Sequence, residues 1–145
     1  MQLKMTSDEI VALLDEVFPQ IQQAFRITAL SAGTATVELE VGDEALRPGG
    51  TVSGPTLFTL ADLSFYVATL AVIGPQHLAV TTNLSITFMR KAVKGRLWAD
   101  ARVLKLGRTL SMGDVLLYSG DGGAPIAQAS VTYAIPRAST SSRGA

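Results

Sequence analysis

The apolar positions of this chain change their period twice. Ile10, Leu13, Leu14, Val17 and Phe18 recur every three or four residues, the spacing of one helix face. "TSDE" at 6–9 precedes them as a capping box, with Thr6 or Ser7 as cap and Glu9 three residues after Thr6. Pro19 marks the end of this helix or a kink in it. "TATVELEV" (34–41) then alternates strictly. Ala35, Val37, Leu39 and Val41 take one face of a half-buried strand, and Thr34, Thr36, Glu38 and Glu40 take the other. A turn-rich loop, "GDEALRPGGTVSG", leads into residues 54–74, "GPTLFTLADLSFYVATLAVIG", which are apolar almost all round. A helix of that kind has to be covered on most sides.

Past Gly74-Pro75 the period falls to two and stays there. "AVTTNLSITFM" (79–89) places Val80, Leu84, Ile86 and Phe88 on one face. "RLWADARVL" (96–104) and "TLSMGDVLLY" (109–118) follow, joined by loops around Lys94-Gly95 and Gly107-Arg108. "GDGG" (120–123) is a hairpin signal, and "IAQASVTYAI" (126–135) turns Ala127, Ala129, Val131, Tyr133 and Ile135 inward. The order is helix, one or two strands, a long apolar helix, then four strands on short loops. It predicts one α+β domain over 1–145 in which an antiparallel sheet wraps around a central helix. Residues 1–24 form an N-terminal helical region, and 136–145, "PRASTSSRGA", a frayed tail.

Composition narrows the chemistry. With 145 residues, 48% hydrophobic and 17% charged, the chain is a well-packed globular domain. Twelve basic and twelve acidic side chains cancel, which argues against a nucleic-acid footprint or a polybasic membrane anchor. No cysteine is present, so disulfides and thiolate chemistry are out, and the single histidine, His77, leaves a transition-metal site short of its commonest ligand. The first residues lack a signal-peptide pattern. Residues 55–73 are long enough to raise a transmembrane question, but Asp62 near their centre would cost about 2.5–3.5 kcal/mol on insertion. The expectation is a cytoplasmic protein without a membrane or nucleic-acid partner and without a metal or cofactor.

Asp62 is the only charged residue between Arg47 and Arg90. Thr59, Asp62, Tyr66 and Thr69 form a thin polar stripe on the apolar cylinder, at i, i+3, i+7 and i+10. Asp62 is either a structural aspartate satisfied by nearby donors or a reactive carboxylate. At the helix start, Gly54 suits the cap position and Pro55 the first turn. "GGTVSG" can bring backbone N–H groups close to a ligand, with the helix dipole favouring negative charge there, although ordinary capping gives the same pattern. No GxxxxGK is present, which excludes a P-loop. Eight residues of helix put Gly54 and Asp62 about 12 Å apart. A reacting carbonyl needs an oxyanion donor and an attacking group each at about 3 Å. If both serve one reaction, the N–H comes from one subunit and the carboxylate from another. That predicts a two-fold dimer with two composite sites.

These residues also carry a family resemblance. "SGPTLFTLAD" resembles the motif of the PaaI-like, or phenylacetate-pathway-type, acyl-CoA thioesterases of the hotdog superfamily, in which His-Gly-Gly precedes a catalytic Asp. Gly54 and Asp62 match the first Gly and the Asp. "AVTTNLSITFMRKA" is similar to the family's next strand, with Thr81 where relatives carry a hydroxyl that positions water, and "LGRTL" resembles a later Gly-Arg/Lys turn, here Gly107-Arg108. The similarity runs from about residue 34 to 135. Three departures stand out: Ser53 and Pro55 replace the family's His and second Gly, and Arg47 falls where several relatives have Asn.

The resemblance implies a hotdog fold and hydrolysis of an acyl-CoA thioester, with CoA as part of the substrate. The Gly54 amide would polarise the carbonyl, and Asp62 would attack it or activate water held by Thr81. Arg47, Ser53, Pro55 and Tyr66 would lie around the substrate. Arg90, Lys91, Gly107 and Arg108 would serve the CoA phosphates, although solvated loop charges read the same way. His77, Trp98 and Tyr133 are assigned to loop or core packing. The family commonly forms dimers that pair into tetramers. Two alternatives stay open: a non-catalytic acyl-CoA binder or sensor, and a hotdog hydratase or dehydratase, which would need an acid and a base.

Overall fold

The long apolar stretch is a helix, and the sheet is built around it. A computed structural model describes residues 1–19, 25–120 and 122–136; the tail expected over 136–145 lies outside the described residues from 137 on. An N-terminal helix α1 (Ser7–Val17) is followed by β1 (Phe25–Ser31), β2 (Thr34–Val41), the central helix α2 (Gly54–Ile73), β3 (Val80–Phe88), β4 (Gly95–Leu106), β5 (Leu110–Ser119) and β6 (Ala127–Ala134). The six strands form one antiparallel sheet in the order β1-β2-β4-β5-β6-β3.

The inner face of the sheet is lined by small and branched residues: Ala35, Val37, Leu97, Ala99, Ala101, Val115, Leu117, Ala127, Ala129 and Val131, all buried. The alanines let α2 sink onto the sheet, and Leu60, Phe65, Val67 and Leu70 of the helix are fully covered. Gly113 is required in this packing. A Cβ there would lie 2.6 Å from the Phe65 ring and closer still to the Arg102 carbonyl, so any side chain would displace helix from sheet. By length and composition α2 could cross a membrane, yet 72% of its most apolar window is buried inside the fold.

Helix α1 starts with the expected reciprocal cap. Thr6 Oγ1 accepts from the Glu9 amide, and the Glu9 carboxylate accepts from the Thr6 amide. Ile10 and Leu14 bury its inner face, and the Lys4 amide donates to the Ala71 carbonyl in the last turn of α2, docking the N-terminal segment there.

Three expectations are corrected. Ser53, not Gly54, caps α2: its hydroxyl accepts from the Thr56 amide, and Gly54 and Pro55 are the first helical residues. Val80 does not share a face with Leu84, Ile86 and Phe88. A bulge between Thr81 and Asn83 adds one residue, so Thr81 pairs with inward-facing Tyr133 and Val80 turns outward, 55% exposed. Trp98 is neither loop nor core. It stands half-buried in β4 on the outer face, stacked on Tyr118 and covered by the Arg96 guanidinium.

Candidate active site

Asp62 sits two turns into α2, half-buried, where β3 and β6 cross the helix. Two hydroxyls from the sheet meet on one of its oxygens. Thr81 Oγ1 donates to Oδ1 at 2.6 Å, and the Tyr133 phenol donates to the same atom at 2.7 Å. The β3 bulge supplies the first contact and the inward alternation of β6 the second. Oδ2 takes no donor from the described residues. Because no buried side-chain oxygen among the described residues lacks a partner, Oδ2 is open to the space that those residues leave. That space is a cavity of about 350 Å³ lined by Phe18, Thr59, Asp62, Leu63, Tyr66, Ala79, Val80, Thr81 and Tyr133. Among the described residues, Asp62 is the only charged side chain in its wall. Burial, and next the charge of Asp62, push the Tyr133 phenol far above the ordinary tyrosine value, and burial raises Tyr66 as well.

The polar stripe of α2 divides. Thr59, Asp62 and Tyr66 line the cavity, whereas Thr69 is sealed in the core on Ser111, 3.0 Å away. The Tyr66 hydroxyl is spent on the His77 carbonyl at 2.6 Å, so its ring, not its oxygen, forms the wall. His77 itself is an exposed loop residue.

A second cavity, of about 430 Å³, opens at the N-terminus of α2 and includes Arg47, Thr51, Gly54, Leu57, Phe88, Arg90 and Lys91 in its lining. The Gly54 N–H has no acceptor among the described residues. Three cations border it, and none of them forms a salt bridge among the described residues. Arg90 donates to the Pro125 carbonyl and Arg47 to the Pro48 carbonyl. Ser53 and Pro55 line neither cavity. The Gly107-Arg108 turn also stands apart. Leu110 pairs with Ala134, and Ala134 with Val80, so the turn lies at the Val80 end of the sheet while Arg90 and Lys91 follow the Phe88 end. Eight strand steps of β3 separate those ends by about 26 Å.

One protomer therefore holds the expected residues in two separate groups: Asp62, Thr81 and Tyr66 with the Gly107-Arg108 turn nearby, and Arg47, Gly54, Arg90 and Lys91 at the other end. Tyr133 was missed as a contact of the carboxylate. Its place on an inward face, with a polar tip that needs a partner, was the available signal. Among the described residues no three His, Cys, Asp or Glu side chains cluster as a metal site would require.

Known proteins share this arrangement of elements. A family model described as the thioesterase superfamily matches residues 49–126, more than half of the chain. A "putative thioesterase" from Silicibacter sp. TM1040 is 52% identical and superposes with a TM-score of 0.86, covering 94% of this chain and 96% of that one. The phenylacetic acid degradation protein PaaI from Thermus thermophilus is 26% identical, with a TM-score of 0.68 over 77% of this chain and 93% of that one. A Streptococcus mutans protein bound to acetyl CoA is 27% identical, also at a TM-score of 0.68, over 80% and 91%. With six strands wrapped around one long helix, and a family match running from the loop before α2 nearly to β6, the chain belongs to the thioesterase superfamily and has its hotdog fold.

Proposed function

We propose that the protein hydrolyses an acyl-CoA thioester to the free acid and CoA, at a site completed by two subunits. The observation that carries this reading is the carboxylate of Asp62, fixed through Oδ1 by Thr81 and Tyr133, with Oδ2 left without a donor among the described residues and facing a cavity whose described wall is otherwise uncharged. Oδ2 takes a proton from water, and the oxygen of that water bonds to the thioester carbon. The Thr81 oxygen, its own proton given to Oδ1, accepts from the same water and orients it. The Gly54 N–H of the partner protomer receives the developing oxyanion, a donor worth about 2.7–4 kcal/mol. The C–S bond then breaks, and the thiolate leaves with the proton held by Asp62. Acetyl CoA in the Streptococcus mutans neighbour supports CoA as the carrier, and the cations near Gly54, which form no salt bridge among the described residues, suit its phosphates. Such a substrate is compatible with the cytoplasmic location expected from the sequence.

The outer edge of β3, unpaired among the described residues, supports the dimer. Nine residues, Val80–Phe88, contain no charge and no proline, and Val80 and Phe88 are more than half exposed. An edge so unprotected invites pairing with another strand. A two-fold axis across β3 would bring the Gly54 end of one protomer to the Asp62 cavity of the other.

The test is thiol release from a panel of acyl-CoAs. Wild type should turn over at least one member, and Asp62→Asn should lower kcat by at least a hundredfold. Tight CoA binding with no thiol release by wild type would show a sensor instead.

A further inference from the structure

We propose that Phe18, carried at the end of α1, sets the size of the acyl group, and that this group is short and uncharged, a small chain or a single ring. The inference rests on the thioesterase reading above and assigns the Asp62 cavity to the acyl moiety. Among the described residues its wall offers no cation to an acidic acyl group, whereas the three cations lie in the other cavity. At about 350 Å³ it stands near the lower limit of ligand cavities, about 300–1,000 Å³.

Three aromatic rings in series give the cavity its shape. Tyr133 and Tyr66 stack at 5.6 Å, and Phe18 meets Tyr66 edge-on at 5.9 Å and 79°. The two tyrosines are pinned, one by Asp62 and the other by the His77 carbonyl. Leu63 and Ala79 are buried within the fold. Phe18 differs from all of these. It is half-buried, has no polar anchor on its ring, and caps the C-terminus of α1, with its N–H on the Leu14 carbonyl. Its position therefore follows that of α1, which is fixed by Ile10, Leu14 and the Thr6–Glu9 box. Truncating Phe18 enlarges the cavity on one side and leaves the carboxylate and its two donors in place.

The experiment measures kcat/KM for acetyl- through hexadecanoyl-CoA, benzoyl-CoA and an ω-carboxyacyl-CoA, with wild type, Phe18→Ala, Phe18→Leu and Asp62→Asn, and thermal unfolding of each. Wild type should favour the short neutral acyl groups. Phe18→Ala should raise the ratio of kcat/KM for hexadecanoyl over butanoyl about tenfold, and Phe18→Leu, which keeps an apolar contact on Tyr66, should shift it in the same direction by less. An unmoved profile, or an equal fall for every substrate, overturns the role of Phe18. An ω-carboxyacyl substrate turned over as well as its neutral counterpart overturns the substrate class. If wild type releases no thiol, or Asp62→Asn matches it, the thioesterase reading itself has failed and the inference with it.

Discussion

Tyr133 remains a hydrogen-bond donor at any working pH, because its phenol is held far above the ordinary tyrosine value by burial and by Asp62. Its job at Oδ1 is to fix the carboxylate, and a charge-assisted hydrogen bond of this kind is worth about 1.5–3 kcal/mol. Tyr133→Phe keeps the ring between Phe65 and Tyr66 and removes only the hydroxyl. The variant should lose about tenfold in kcat with KM nearly unchanged. Steady-state kinetics beside a thermal melt check this; a wild-type kcat would reduce Tyr133 to packing. Asp62 and Gly54 were visible in the sequence as a lone charge in an apolar helix and a Gly-Pro helix start, and Thr81 was visible only through the family resemblance of its strand. Tyr133 was not, because an inward tyrosine in an alternating strand looks the same whether its hydroxyl meets a carboxylate or a carbonyl.

At the scale of elements, α2 was readable because its apolar run is long and nearly unbroken, and β6 because its burial follows one uninterrupted period. The β3 bulge was invisible: "VTTNLSITF" alternates as well with Val80 inward as outward, and only the register with β6 decides. Charged networks across strands were equally hidden. Glu38 of β2 alternates as a solvent-facing residue, yet Arg26 of β1 and Arg96 of β4 close over it at 2.6 and 2.7 Å and leave it 9% exposed. Hydrogen bonds from Arg96 and then Arg26 hold its carboxyl below the ordinary 4.5. A lowered folded-state value means that the ionised form favours folding. This contribution is complete above about pH 4.5 and disappears as the pH falls through the depressed value. Glu38→Gln should therefore be less stable than wild type at pH 7, with the gap closing steadily below pH 4.5. Urea unfolding at a series of pH values measures it, and a gap independent of pH would remove the ion cluster as its cause.

For the whole molecule, the decisive question is which chain supplies each half of the site. Within a protomer, Gly54 and Asp62 open into different cavities and sit about 12 Å apart along one helix, too far to reach a single carbonyl. Two damaged chains can settle it. Asp62→Asn removes the carboxylate and leaves the Gly54 amide intact. Gly54→Val leaves the carboxylate and puts a branched side chain beside the amide, where the exposed Phe88 ring, 3.2 Å from the new Cβ, has room to give. Each variant alone should be at least about a hundredfold slower than wild type. Mixed by co-refolding, half of the dimers pair one variant with the other. In such a dimer the intact amide of the first chain faces the intact carboxylate of the second, while the other site carries both lesions. One site in four is then restored, so the mixture should recover about a quarter of wild-type activity. A site contained in one chain predicts no recovery at any mixing ratio, because every chain in the mixture still carries its own lesion.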